Sequence, residues 1–547
     1  MSVTAAPTLT RAAVVVRRVV VYTILFVLVV LVASGLSDLL NRLLDLVVGT
    51  TIASAGTGGL AVSLTFTLIG GPLAVLLGWF AWRRLAEAPE RGSLAWALYL
   101  VGMVTVSVVV ASSALLTAAA AAVTGDEFAS AASTGLVWAA VWAGHRFVLR
   151  HSPRHPSRLP GTAAVLGGAF GLVIGVGGLV RALTVLLDTA ILGEADAVAG
   201  DPWWASAGRA LIWAAGGALV WWWHWRHEGG RDAATALAAV ALVGVGILGG
   251  CLLALAGTGT TLFVLLRLAV DRADPVPELV DPLGLAVAAA IVGSLVWVYH
   301  RGVVRRRPAP VQDASSLATS GIALVAAATG IGVIVNALLA ALTAPLAGDT
   351  DPRTLLLGGI SSVLVGGPLW WVSWRPGTAL EPERRRTAGR SVYLVVVFGI
   401  SAVVALVTLL VIGFRLFDSV LSGDAGLLEG IRAPLGLLAA TGLVAGYHFS
   451  VWRGDRAAAA AEPPPPALAV PAITELVLVM GPGGEPVVAH LRDLTGAQVV
   501  YWQRTDAATA LPTPGAVAQV LAGVTGERVL LVVGPDGTAS AIPVTPG

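Results

Sequence analysis

The chain has 547 residues, of which 56% are hydrophobic and 12% charged, with 65 glycines and a mean hydropathy of +0.84. A soluble globular protein of this length needs far more polar surface, so the composition excludes that class and points to a polytopic membrane protein. The net charge is only +2, so the pI near 9.0 is no signal for nucleic acid, and the single cysteine, Cys251, excludes intramolecular disulfides and multi-thiolate metal sites.

Residues 1–16 read as a short cytoplasmic segment. Arg17 and Arg18 then open a run that stays apolar up to Leu36, which reads as an uncleaved first membrane helix and not as a signal peptide. The hydrocarbon core calls for about 20 mostly apolar residues per helix. Runs of that kind occupy 18–38, 61–82, 96–120, 130–149, 162–187, 207–225, 233–266, 283–300, 317–345, 355–374, 391–416 and 433–452. Residues 17–453 are therefore expected to form an all-α membrane domain of about twelve transmembrane helices.

Arginine fixes the expected orientation, because basic loops resist translocation. All 34 basic residues are Arg, which also hints at a GC-rich bacterial genome. The segments before the first span and after every second span, up to Arg456, hold 23 of them. The six intervening loops with their helix ends hold eight, against seventeen acidic residues. Both termini are expected in the cytoplasm, and membrane lipids are expected partners of the arginine clusters.

Every second helix ends in a similar aromatic and basic cluster. These are Trp79-Phe-Ala-Trp-Arg83, Trp142-Ala-Gly-His-Arg146, Trp222-Trp-His-Trp-Arg226, Trp297-Val-Tyr-His-Arg301, Trp371-Val-Ser-Trp-Arg375 and Tyr447-His-Phe-Ser-Val-Trp-Arg453; from His145 onward they lie 74–79 residues apart. Some first helices open with Arg and Tyr, as in Arg17 to Tyr22 and Arg390 to Tyr393, and Gly70-Gly71-Pro72 is echoed by Gly366-Gly367-Pro368. The pattern reads as six tandem helical hairpins in one orientation. These residues resemble a bacterial membrane family known only as domain of unknown function 5671, whose members look like repeated helix pairs with this kind of entrance and exit. The resemblance implies membrane location and helix-pair architecture, and carries no activity and no catalytic residue.

Four clusters carry histidine: His145, His224, His300 and His448. A proton relay or metal set is one reading. Their position at span ends among Trp, Tyr and Arg favours interfacial anchors at the headgroup level. At the opposite ends, Asp38, Arg42 and Asp45 share one helical face, as do Arg181 with Asp188, Arg267 with Asp271 and Arg415 with Asp418. Asp38, Arg42, Arg181 and Arg415 are the candidates for a polar functional rim, although charges that snorkel or stand clear of the membrane as an amphipathic cap are the favoured reading. The glycines within apolar runs suit close helix packing. No phosphate loop, zinc-protease or serine-hydrolase motif occurs, so no catalytic, cofactor-binding or metal-binding residue is expected, and no cofactor.

Residues 454–472 form an Ala/Pro-rich linker, and 473–547 read as a small soluble α/β (α+β) module. Glu475–Met480 and Glu485–His490 around Gly481-Pro-Gly-Gly are expected to pair as a hairpin. Gln498–Trp502 reads as a strand, Gly515–Leu521 as a helix, and Arg528–Val533 with Thr538–Val544 as a second hairpin. Its sheet edges suit a protein partner; His490, Asp493 and Asp506 read as surface residues. The expected function is a non-enzymatic inner-membrane scaffold or sensor coupled to this module, with transport of a solute as the alternative.

Overall fold

The computed structural model describes residues 6–48, 57–151, 153–193, 202–271, 274–342, 352–374, 387–423, 426–461, 473–505, 510–524 and 526–545. The linker residues 462–472, the arginine run 384–386 and the acidic positions 194, 196, 201, 349 and 351 lie outside them. The chain divides into two compact units, Met1–Asp455 and Arg456–Gly547.

Among its described residues the first unit is built of helices joined by short turns. Its principal helices are α1 (Ala6–Val48), α2 (Thr57–Leu68), α3 (Gly70–Arg84), α4 (Ala88–Arg91), α5 (Leu94–Thr124), α6 (Ala129–His151), α7 (Thr162–Leu192) and α8 (Trp203–Trp222). They continue with α9 (Ala236–Ala241), α10 (Gly250–Val270), α11 (Val276–Val280), α12 (Leu283–Val304), α13 (Ala309–Leu342), α14 (Pro352–Ser373), α15 (Ala388–Ser422) and α16 (Leu427–Ala461). Two π-helical segments, Trp223–His227 after α8 and Leu242–Gly249 between α9 and α10, keep those runs continuous. Among the described residues ten helical runs are long and apolar enough to cross a membrane. The α6 and α8 helices are not among the ten. They fall at the expected spans 130–149 and 207–225, but Trp, Gly, Ala and arginines (Arg146, Arg150, Arg209) make up much of their length.

Consecutive helices pack against one another, α5 on α6, α7 on α8, α10 on α12 and α13 on α14. Small residues make the approach possible. A Cβ on Gly171 or Gly178 of α7 would collide with the α8 backbone at Trp221 and Ala214, and Gly257 with Gly293 does the same between α10 and α12. Lipid offers no hydrophobic incentive for helices to associate, so such backbone proximity supplies the van der Waals contact that holds them together. The two Gly-Gly-Pro sequences behave differently. The first separates α2 from α3 at Ile69, whereas Pro368 sits inside an unbroken α14.

Among its described residues from Ile473 on, the second unit forms a four-stranded sheet with two helices. Its elements are β1 (Glu475–Met480), α17 (Glu485–Thr495), β2 (Gln498–Gln503), α18 (Pro514–Ala522), β3 (Arg528–Val533) and β4 (Ala539–Pro543). The sheet order is β2-β1-β3-β4, with β1 parallel to both β2 and β3, and β3 antiparallel to β4. Leu476, Leu478, Met480, Val529, Leu531 and Val533 form one core with Val487 and Leu491 of α17 and Val517 and Leu521 of α18. The second hairpin is as expected, and the first is not. Residues 485–490 form the start of a crossover helix, because Val487, Val488, Leu491 and Leu494 recur at helical spacing. Pro486 fits its first turn, and Gly496 (φ 68°) ends it.

Candidate functional site

All four histidines of the exit clusters adopt the same arrangement. The Nδ1 atoms of His145, His224, His300 and His448 lie 2.8, 2.9, 2.8 and 2.8 Å from the carbonyls of Val141, Val220, Val296 and Val444. A carbonyl only accepts, so Nδ1 carries the proton and Nε2 is left with the lone pair in the neutral ring. In His145 that nitrogen lies 3.1 Å from the Tyr99 hydroxyl, which donates to it. In His448 it is buried with no hydrogen-bond partner among the described residues, and in His224 it stands 3.8 Å from Glu228. The residue four before each histidine is valine in every case. That Val-x-x-x-His recurrence is a readable signal which the sequence reading passed over.

Exposure of His224, His300 and His448 is 1, 2 and 0%. A headgroup anchor would present its ring outward, whereas these rings point into the packing between helices. Gly167 and Gly246 supply the space, lying so close that a Cβ would strike the imidazoles of His224 and His300 at about 2.5 Å. His448 is enclosed by Trp374, Tyr393 and Tyr447, with ring centroids 5.6, 6.0 and 5.1 Å away.

These clusters also bind one helix pair to the next. Trp225 donates its indole N–H to Tyr299 at 2.9 Å, and Trp374 donates to Tyr447 at 2.9 Å. Trp221 and Trp370 meet the same tyrosines edge-on, both at 5.5 Å. Where tryptophan is replaced by Arg146, the guanidinium covers Trp223 at 5.1 Å and forms an ion pair with Glu228.

Three carboxylates complete this end of the helices, and none was singled out from the sequence. Glu90, 5% exposed, accepts from Arg18 at 2.8 Å, Arg17 at 3.3 Å and Tyr22 at 3.5 Å. Glu228 receives Arg146, and Asp455 receives Arg390 at 2.9 Å. The arginines that read as orientation markers are therefore partly neutralised by single acids in otherwise basic loops.

At the opposite helix ends the four rim candidates do not form one cluster: Asp38 and Arg42 pair with each other, while Arg181 and Arg415 lie on α7 and α15. Asp38 accepts from Arg42 at 2.9 Å and from Ser63 at 2.6 Å, joining α1 to α2. Arg181 lies on α7 beside an apolar cavity of about 540 Å³, and Asp188 packs against Gly284. Arg415 donates to the carbonyl of Gly430 on α16. A further pair joins elements, with Arg267 3.6 Å from Asp271, which also accepts from Thr354 at 3.0 Å. Asp38 and Arg415 bond within their own helix pairs, whereas Asp271 and Asp188 meet residues of the next pair. Among the described residues, no three His, Cys, Asp or Glu side chains converge as a metal site.

The family model for the domain of unknown function DUF5671 matches residues 18–157 and 313–443, and the chain carries this domain in both regions. No curated protein and no solved structure matches the chain.

Proposed function

We propose that this protein is a multi-pass protein of the bacterial inner membrane, built from six tandem helical hairpins with twelve spans. In this reading it is a non-enzymatic scaffold or sensor that carries a small cytoplasmic module able to dock a protein partner. The repeated Trp–Tyr hydrogen bond between successive pairs carries the scaffold reading. It ties adjacent hairpins at one end, while at the other end Asp38 and Arg415 bond within their own helix pairs and Asp271 bridges to Thr354 of the next pair. Solute transport draws on the helix break beside Gly70-Gly71-Pro72 and on Arg181 at its cavity. α6 and α8 supply the two spans beyond the ten apolar runs, held in place by their partners α5 and α7.

The arginine alternation supports both termini on the cytoplasmic side. Single cysteines at Ala314 and Ala199, introduced into a Cys251→Ser background, test the arrangement in intact cells. Ala199 should react with an impermeant maleimide and Ala314 only after permeabilisation. Reaction of both from one side refutes the twelve-span arrangement. Proteoliposomes that leak or accumulate a solute through the purified chain would favour transport over the scaffold.

A further inference from the structure

We infer that the junction of α12, α13, α14 and α15 is a binding site for an anionic phospholipid, with its headgroup in a cationic basin and its chains in two apolar clefts along α13. The inference rests on the membrane reading above. The basin, about 330 Å³, lies where α12 and α14 end and α13 and α15 begin. Arg301, Arg305 and Arg390 line it together with Ser316 and Thr319, with Asp313 the one carboxylate among the described lining residues. Arg390 already holds Asp455, and Arg301 lies with its guanidinium 5.0 Å above the Trp297 ring. Guanidinium groups arranged around one hollow fit a phosphate oxygen cluster, because charged donors grip it from several directions. The Ser316 and Thr319 hydroxyls, which donate to the carbonyls of Asp313 and Ser315, add polar lining.

The shape below the basin selects a lipid over a free anion. A cleft of about 580 Å³ lies between α10, α13 and α14, reaching Leu252, Phe263 and Val365. A second of about 570 Å³ lies between α13, α15 and α16, reaching Val397, Leu437 and Val444. Gly321 and Val325 belong to both clefts, and Leu317, one helical turn earlier, lines the basin. The polar hollow at the helix ends and the two apolar furrows thus follow one another along α13. A headgroup with two acyl chains matches that continuity, and a lone phosphate does not use the furrows.

The test begins with fractionation of the full chain. Recovery in the soluble fraction would overturn the membrane reading and this inference together. Membrane-recovered protein in detergent is then titrated by native mass spectrometry with dioleoylphosphatidylglycerol, dioleoylphosphatidylcholine or inorganic phosphate. Retention should be selective for the phosphatidylglycerol. Arg301→Gln with Arg305→Gln should weaken it roughly 30-fold, since each basic residue near an anionic headgroup contributes about 1 kcal/mol. Gly321→Leu fills both clefts, and its Cβ meets Tyr393 at an ordinary 3.7 Å; it should lower long-chain lipid binding without unfolding the protein. Arg83→Gln with Arg84→Gln, at a distant helix end, should change nothing. Equal loss in that control would overturn the site in favour of general surface attraction. Displacement of the lipid by millimolar phosphate, or equal retention of both lipids, would overturn the phospholipid assignment while leaving the membrane reading intact.

Discussion

Trp374 donates its indole N–H to the Tyr447 hydroxyl across 73 residues of sequence, and the same bond recurs between Trp225 and Tyr299 across 74. In each case the tryptophan ends one helix pair and the tyrosine precedes the buried histidine of the next. The chain repeats a junction as well as a helix pair. A buried hydrogen bond of this kind contributes about 1 kcal/mol net, and more is lost when one partner remains unsatisfied.

A double-mutant cycle tests that junction. Tyr447→Phe removes the acceptor and should lower stability in detergent by about 1–3 kcal/mol, because the indole N–H stays buried without a partner. Adding Trp374→Phe should cost less than the sum of the two single changes, giving a coupling of about 0.5–1.5 kcal/mol in thermal or denaturant unfolding. Additive losses would mean the bond contributes nothing.

Burial also reverses what substitution of the histidines should do. An outward-facing anchor tolerates Tyr or Trp, but His224 and His300 rest against Gly167 and Gly246. Replacing either with Trp forces the helices apart and should destabilise by about 1–3 kcal/mol, as overpacking does. His145, whose ring meets Tyr99, should lose about 1 kcal/mol when changed to Phe. Fluorescence-detected size-exclusion melting of the single variants reads both effects, and full tolerance of Trp at position 224 would contradict the buried placement.

Much of this arrangement was legible in the sequence, and the part that was not has physical reasons. The apolar runs and the spacing from His145 to His448 were visible because span length and repeat period are local properties. The inward orientation of the rings was hidden, since Trp and Tyr serve equally at a lipid interface and in a packed junction. Glu90 escaped notice because its partners, Arg17 and Arg18, lie more than 70 residues away. The helix at 485–495 was misread because Gly481-Pro-Gly-Gly resembles hairpin chemistry, and a short apolar run fits either periodicity.

Glu90 makes a sharp test of the partly buried ion cluster. Glu90→Gln leaves Arg18, whose side chain is 17% exposed, without its carboxylate. Breaking a well-buried pair from one side costs about 3–5 kcal/mol, and the partial exposure of Arg17 and Arg18 reduces that toward the lower end. The variant should reach the membrane with a lowered melting temperature. Arg18→Gln in the same chain should recover part of the loss, and no recovery would indicate that Glu90 acts through packing alone.

The soluble unit offers the last test, and it concerns both autonomy and pH. Its core is continuous from β1 to β3 and includes both helices, so a fragment of residues 470–547 should fold alone and give dispersed amide NMR signals. A domain of this size is only marginally stable. Leu531→Ala, at a fully buried position, should cost about 2–5 kcal/mol and unfold much of the population. Within the β3–β4 turn, Asp536 accepts from the Thr538 hydroxyl at 2.6 Å and the Thr538 N–H at 3.1 Å. These bonds favour the ionised form and hold the carboxyl below the usual carboxylate range, the hydroxyl contributing most. A depressed folded-state value stabilises the fold above the unfolded carboxylate pKa, and that contribution disappears as pH falls through the folded value. A carbon-detected NMR titration should therefore place Asp536 below an unstructured aspartate, and Thr538→Val should move it back toward that reference. An Asp536 that titrates like the free residue in both proteins would show that the turn does not form in the isolated unit.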